Sequence, residues 1–235
     1  LMCLNTGARA AMPGASQKPV SASSSTAQKL YSSAKNDLIQ LRVLFRNGRS
    51  LKSMGSGFLV GTGNLMVTNY HVISDIALEP ETYAGEFIDM DGERGPVELL
   101  GVDVLYDLAV LRIARKGNGY FKVPEKPVAL SQGQYLYSLG NPFGMGFAIT
   151  EGTYNGVTKY EGYERLMFTG SLNPGMSGGP SVTVDGQLAG VNVSRRSGGE
   201  LISFLVPLRH IQRLLNEVRQ QQAPPKDFKE EVVRQ

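Results

Sequence analysis

What is scarce in these 235 residues narrows the reading first: one cysteine (Cys3), two histidines (His71 and His210) and no tryptophan. A single cysteine excludes an internal disulfide, and with two histidines it leaves little from which to build an ordinary zinc site. There is no unbroken run of about 18 apolar residues, so no helical membrane span is written in the chain. With 41% hydrophobic and 19% charged residues it also lacks the composition of a disordered polymer. The formal charge of +3 is not spread evenly. Arg9, Lys18 and Lys29 face no acidic residue among positions 1 to 29, so residues 30 to 235 are formally neutral. That argues against a nucleic-acid partner, which needs clustered Lys and Arg.

Glycine, by contrast, is abundant at 28 residues, and 14 of these fall between Gly140 and Gly199. Residues 1–29 read as a flexible leader, because Thr6 to Thr26 hold almost no large apolar side chains to offset the entropy of ordering. The opening Leu1-Met2-Cys3-Leu4 is compatible with the remnant of an export signal, and Cys3 then becomes a candidate for lipidation or a plain exposed thiol. From Leu38 onward, short runs rich in Val, Ile, Phe and Tyr alternate with Gly, Asn47-Gly48 and Asp91-Gly92 turn signals. This predicts strands at Leu38–Arg46, Met54–Val60, Leu65–Asn69, Gly85–Met90, Val97–Val104 and Ala109–Ile113. The resulting plan is an N-terminal β unit over 30–115, a crossover linker over 116–133 and a C-terminal β unit over 134–207. Leu208, Ile211, Leu214, Leu215 and Val218 then fall on one face of a helix over 208–222. Residues 223–235, with Pro224-Pro225, read as a linker or frayed tail.

The stretch most able to do chemistry is Asn173-Pro174-Gly175-Met176-Ser177-Gly178-Gly179-Pro180. A serine hydroxyl needs a base to become a nucleophile, and the carbonyl it attacks needs donors for its developing negative charge. Glycines around Ser177 permit a tight turn in which the amides of Gly175 and Ser177 aim at one spot, although a plain glycine-rich turn would read the same. His71, just after the apolar run Val67-Thr68, is the candidate base; His210, on the terminal helix, reads as a surface or partly packed residue. Asp107, ahead of Leu108-Ala109-Val110-Leu111, is the candidate carboxylate to orient the imidazole, with Asp103 as its competitor.

In this order, His71, Asp107 and Ser177 resemble the triad of chymotrypsin-like serine proteases, and the closer likeness is to bacterial HtrA/Deg-type proteases. Five segments carry it: Gly55-Ser56-Gly57-Phe58, Val67 to Ile73, Asp107 to Leu111, Leu139-Gly140-Asn141-Pro142-Phe143-Gly144 and Asn173 to Pro180. The resemblance implies an all-β fold of two six-stranded antiparallel β-barrels with a C-terminal helix. It implies a serine endopeptidase that cuts extended or unfolded polypeptides through an acyl-enzyme, without metal or cofactor. Ser177 would be the nucleophile, His71 the general base, Asp107 its orienting acid, and the amides of Gly175 and Ser177 the oxyanion hole. Asn192, Val193 and Ser194 would pair with substrate backbone, and Ser171 and Leu172 would line a pocket without charge that favours a small or apolar residue before the cut. A periplasmic or envelope location and homo-oligomers are further implications.

The sequence departs from the family in three places. Met176 stands where the trypsin type has an Asp and the HtrA/Deg type usually an Asn, the run Phe168 to Leu172 looks one residue short, and about 20 residues after Leu215 are too few for the PDZ domain that typically follows. Arg195-Arg196 reads as a solvated loop or as a preference for acidic substrates. Two rival readings stand beside the protease: a latent or inactive protease-fold module that binds peptides as a chaperone, and an esterase using the same residues.

Overall fold

The computed structural model describes residues 22–194 and 202–235. Cys3, the opening four residues and Arg195-Arg196 therefore lie outside the described residues. Helix α1 (Ala22–Ala34) leads into a first set of strands: β1 (Leu38–Phe45), β2 (Leu51–Leu59), β3 (Leu65–Thr68), β4 (Tyr83–Ile88), β5 (Arg94–Asp103) and β6 (Leu108–Ile113). Helix α2 (Tyr70–Leu78) interrupts this set after β3. A second set follows: β7 (Tyr135–Gly140), β8 (Ala148–Tyr160), β9 (Tyr163–Thr169), β10 (Pro180–Thr183), β11 (Leu188–Val193) and β12 (Ile202–Pro207). Helices α3 (Leu208–Gln220) and α4 (Phe228–Arg234) close the order.

Each set closes into an antiparallel barrel, the first in the order β1-β2-β3-β6-β5-β4 and the second in the order β10-β11-β12-β9-β8-β7. The expected double barrel is what the chain forms. Strand alternation explains how the barrels pack together. In β1, Ile39 and Leu41 point into the first barrel, where they meet Leu59, Met66, Phe87 and Leu111. Leu38 faces the other way and joins Phe58, Tyr137, Leu139, Val191 and Val206 in a cluster that draws on both barrels. Both faces of several strands are buried, so these read as continuous apolar runs rather than half-wet ones.

Helix α3 adds the face expected of it. Leu208, Ile211, Leu214, Leu215 and Val218 are all buried in the cluster between the barrels. Burying a side chain of this kind contributes about 1.5–3 kcal/mol, so the helix is a strong tie across the seam. The part of the leader that is described differs from the expectation of flexibility. It is helical from Ala22, and Ala27 packs partly buried against the core. The tail differs as well. Asp227 caps α4 through its side chain, and Phe228 and Val232 pack against the core of the first barrel, beside α2.

Candidate active site

The site begins with helix α2, which the sequence pattern did not announce. Its first turn has backbone N–H groups with no partner inside the helix, and Asn69, at the N-cap, makes no capping bond with its side chain. Asp107 supplies the missing acceptor from another part of the chain. Its Oδ1 accepts from the backbone N–H of His71 at 2.8 Å, while its Oδ2 lies 2.7 Å from His71 Nδ1. One carboxylate thus caps the helix and orients the imidazole, in a place where the helix dipole favours negative charge. Asn69 in turn donates to the Asp107 carbonyl at 2.9 Å. Asp107 adopts a left-handed backbone (φ 62°), a conformation that non-glycine residues enter only with support from their surroundings.

Burial separates the members of this pair. The Asp107 side chain is 6% exposed and that of His71 is 30% exposed, so the acid is shielded while the imidazole keeps an open edge. Tyr70 beside them has its phenol pKa pushed up, first by burial and then by the charges of Asp107 and Asp75, and stays neutral. Asp103, the competing acid, is engaged elsewhere. It accepts from the Tyr106 N–H at 3.0 Å and pairs with Arg213 of α3.

Ser177 comes from the second barrel, on the turn between β9 and β10. The turn is seated directly against β2. Ser56 N donates to the Ser177 carbonyl at 2.8 Å, and a side chain at Gly178 (φ +86°) would meet the Ser56 carbonyl at 2.2 Å. Gly175 (φ +96°) is equally confined, with a Cβ there only 2.4 Å from the Asn141 carbonyl. Phe143 N donates to the Pro174 carbonyl at 2.7 Å. Because the peptide unit is planar and trans, holding that carbonyl turns the Gly175 amide to the opposite side. Among the described residues, neither the Gly175 nor the Ser177 amide donates to a protein acceptor. Two neighbouring free donors on one rigid turn suit a developing negative charge.

His71 and Asp107 are joined, but no hydrogen bond joins Ser177 Oγ to His71. The hydroxyl accepts instead from the backbone N–H of Ser194 at 3.1 Å and lies 3.4 Å from its carbonyl. Ser194 Oγ donates to the Leu172 carbonyl at 3.0 Å, which places Ser194 and Leu172 beside the Ser177 turn. Ser171 is exposed, and Leu172 is partly buried against the second barrel's core.

Asn192 and Val193 are not free to pair with a substrate. Asn192 is fully buried; its N–H donates to Gly179 O at 2.8 Å and its carbonyl accepts from Gly178 N at 3.0 Å. Its side chain donates to Leu139 O and accepts from Ser181 Oγ. Val193 is 2% exposed and paired with Phe204 of β12. Both backbone groups of Asn192 are therefore spent on the turn after Ser177, and of the three residues only Ser194 reaches the cleft. His210 is more buried than its surface reading implied. It is 7% exposed and stacked on Tyr106 with ring centroids 3.4 Å apart.

Comparison with known proteins fits this geometry. A family model described as a trypsin-like peptidase domain matches residues 55–191, a span that holds His71, Asp107 and Ser177. A probable periplasmic serine endoprotease, DegP-like, from Chlamydia pneumoniae is 30% identical over 174 residues, 70% of this chain and 34% of that protein. One of the same name from Pseudomonas fluorescens is 31% identical over 180 residues, 73% of this chain and 36% of that protein. The chain thus spans about a third of the length of the curated relatives it matches. Among solved structures, Deg5 superposes with a TM-score of 0.70 at 22% identity, covering 86% of this chain and 97% of that one. A serine endoprotease from Yersinia pestis gives 0.68 at 23% identity, covering 88% and 70%. At such identities the two structures speak for the fold.

Proposed function

The chain belongs to the trypsin-like peptidase domain family, and on that premise we propose that it is a serine endopeptidase acting on extended or unfolded polypeptides through His71, Asp107 and Ser177. The observation that carries the reading is the double contact of Asp107 with His71, 2.8 Å to its amide and 2.7 Å to its ring. That contact leaves Nε2 as the ring nitrogen available to a nucleophile, with Nδ1–H donating to the acid.

In the proposed cycle the Ser177 side chain turns from Ser194 toward His71 and gives its proton to Nε2 as Oγ attacks the scissile carbonyl. The amides of Gly175 and Ser177 hold the oxyanion, and Asp107 stabilises the imidazolium. His71 then protonates the leaving amine, and water deacylates the enzyme by the reverse route. Acyl-side substrate backbone lies along Ser194, and Ser171 and Leu172 offer no charge to the residue before the cut, which favours a small or apolar one. A periplasmic or envelope setting follows from the names of the relatives, and among the described residues no helix is long and apolar enough to cross a membrane. Assembly into homo-oligomers belongs to the same reading.

One observation favours a second reading. The Ser177 hydroxyl is engaged with Ser194 rather than His71, as in a latent site that binds peptide without cutting it. A fluorophosphonate probe separates the two. Labelling of the native chain and none of Ser177→Ala, with casein cleaved faster than a simple acetyl ester, is the expected result. Absence of labelling would sink the peptidase reading, and ester hydrolysis without casein cleavage would make the chain an esterase.

A further inference from the structure

Resting on the peptidase reading, we propose that Ser56 is a positioning residue that holds the oxyanion turn in its donor-ready form. The residue before the nucleophile is Met176, which is 1% exposed and brings no charge with which to anchor the turn. The anchoring falls to backbone carbonyls, and each of four successive carbonyls is tethered. Pro174 O accepts from Phe143 N at 2.7 Å, and Gly175 O accepts from Ser56 Oγ at 2.6 Å. Met176 O accepts from Gly179 N at 3.1 Å, and Ser177 O accepts from Ser56 N at 2.8 Å. Ser56 supplies two of the four tethers.

The hydroxyl has one proton to donate and lone pairs to accept with, and both functions are used. While donating to Gly175 O it accepts from Asn141 N at 2.8 Å. It therefore binds the turn to the loop whose Phe143 amide sets the Pro174–Gly175 peptide. Ser56 itself is fully buried in β2, and its carbonyl accepts from Thr68 Oγ1 at 2.7 Å. Removing the hydroxyl leaves Gly175 O and Asn141 N unpartnered in a dry setting, a state relieved by rotating the peptides of the turn. Such a rotation misdirects the oxyanion donors. The strand persists, because β2 keeps its pairing with β1 across Gln40↔Ser56 and its neighbours.

The test compares the native chain with Ser56→Ala and with Ser56→Cys, which is somewhat larger and keeps a weak donor at the same position. Ser56→Ala is expected to lower kcat on a peptide substrate about 30-fold, a fraction of what losing a whole oxyanion donor costs, with KM within about twofold. Inhibition by a peptide aldehyde, whose hemiacetal oxygen uses the same amides, weakens by about the same factor as kcat. Affinity for a product peptide, measured in the Ser177→Ala background, is unchanged. Ser56→Cys falls between the two. A kcat equal to the native value would overturn this role alone. Loss of kcat, KM and product affinity in step with folded fraction, or failure of both variants to fold by near-UV circular dichroism, would reduce Ser56 to a structural residue. Absence of fluorophosphonate labelling in the native chain overturns the peptidase reading and this role with it.

Discussion

In the first barrel His71 is held by side chains: Asp107 grips both its amide and its ring, and Asn69 grips Asp107. In the second barrel Ser177 is held mainly by backbone, with Ser56 Oγ on Gly175 O as a side-chain tether, on a turn whose Gly175 and Gly178 leave no room for a side chain. On the proposed reading, the difference follows from what each half must do. An imidazole that gains and loses a proton needs a fixed charge beside it, and that charge is best supplied by one buried, well-bonded carboxylate. An oxyanion lasts only as long as the tetrahedral state, so its donors must be aimed beforehand without a counter-charge, and backbone amides meet that need.

The largest test of this contrast is Asp107→Asn. By analogy with the Ser-His-Asp template, kcat is expected to fall by about 10⁴, because an amide neither fixes the tautomer nor stabilises the imidazolium. Steady-state kinetics on a peptide substrate checks this, and a loss under tenfold would break the claim that a charge governs this half. Next is Gly178→Ala on the backbone-held half. A Cβ 2.2 Å from the Ser56 carbonyl at φ +86° is expected to cost about 3 kcal/mol of stability and most of the activity. Urea midpoints measure it, and a stable, active variant would show that the turn has slack.

The smallest test uses the histidine outside the site. Burial first, and then Arg209 and Arg213, hold the His210 pKa down at about 4, against the opposing pull of Asp103 and Glu164. Its folded value lies below its unfolded one, so between about pH 6.5 and 4 the unfolded chain binds more protons. The stability this neutral histidine contributes is present above pH 6.5 and is lost as pH falls toward 4, on the order of 2 kcal/mol. Urea unfolding across that window should show the slope in the native chain and a flatter line in His210→Gln, while peptide cleavage at pH 7.5 stays within twofold. An unchanged slope would exclude His210 as its source.

Much of this arrangement was legible in the sequence, for reasons visible in particular residues. Leu38 to Phe45 carried its strand as an apolar run, and α3 carried its face at helical spacing, because those signals are local. Helix α2 was not legible, since its first turn is capped by Asp107, 36 positions beyond His71. Helix α4 was hidden in a charged tail, where Phe228 and Val232 are meaningful only once the first barrel is there to receive them. The pairing of Asn192 and Val193 inside the second barrel was not legible, because strand order, not composition, decides which residues of β11 have a free edge. Ser56 left one trace. A serine between two glycines inside a strand marks a place where another backbone comes close, and here that backbone is the Ser177 turn.

The placement of α3 and α4 bears on what steadies the His71–Asp107 pair from behind. Arg213 and His210 of α3 brace Tyr106 and Asp103, next to Asp107, while α4 rests against the helix that carries His71. Gln235 reaches further back still, accepting from Val104 N at 2.8 Å and donating to Val102 O at 3.0 Å. Residues of both helices thus bind back onto the β5–β6 hairpin and the helix that present Asp107 and His71. On the proposed reading, cutting the chain after β12 would leave every reacting group in place and the acid–base pair unbraced.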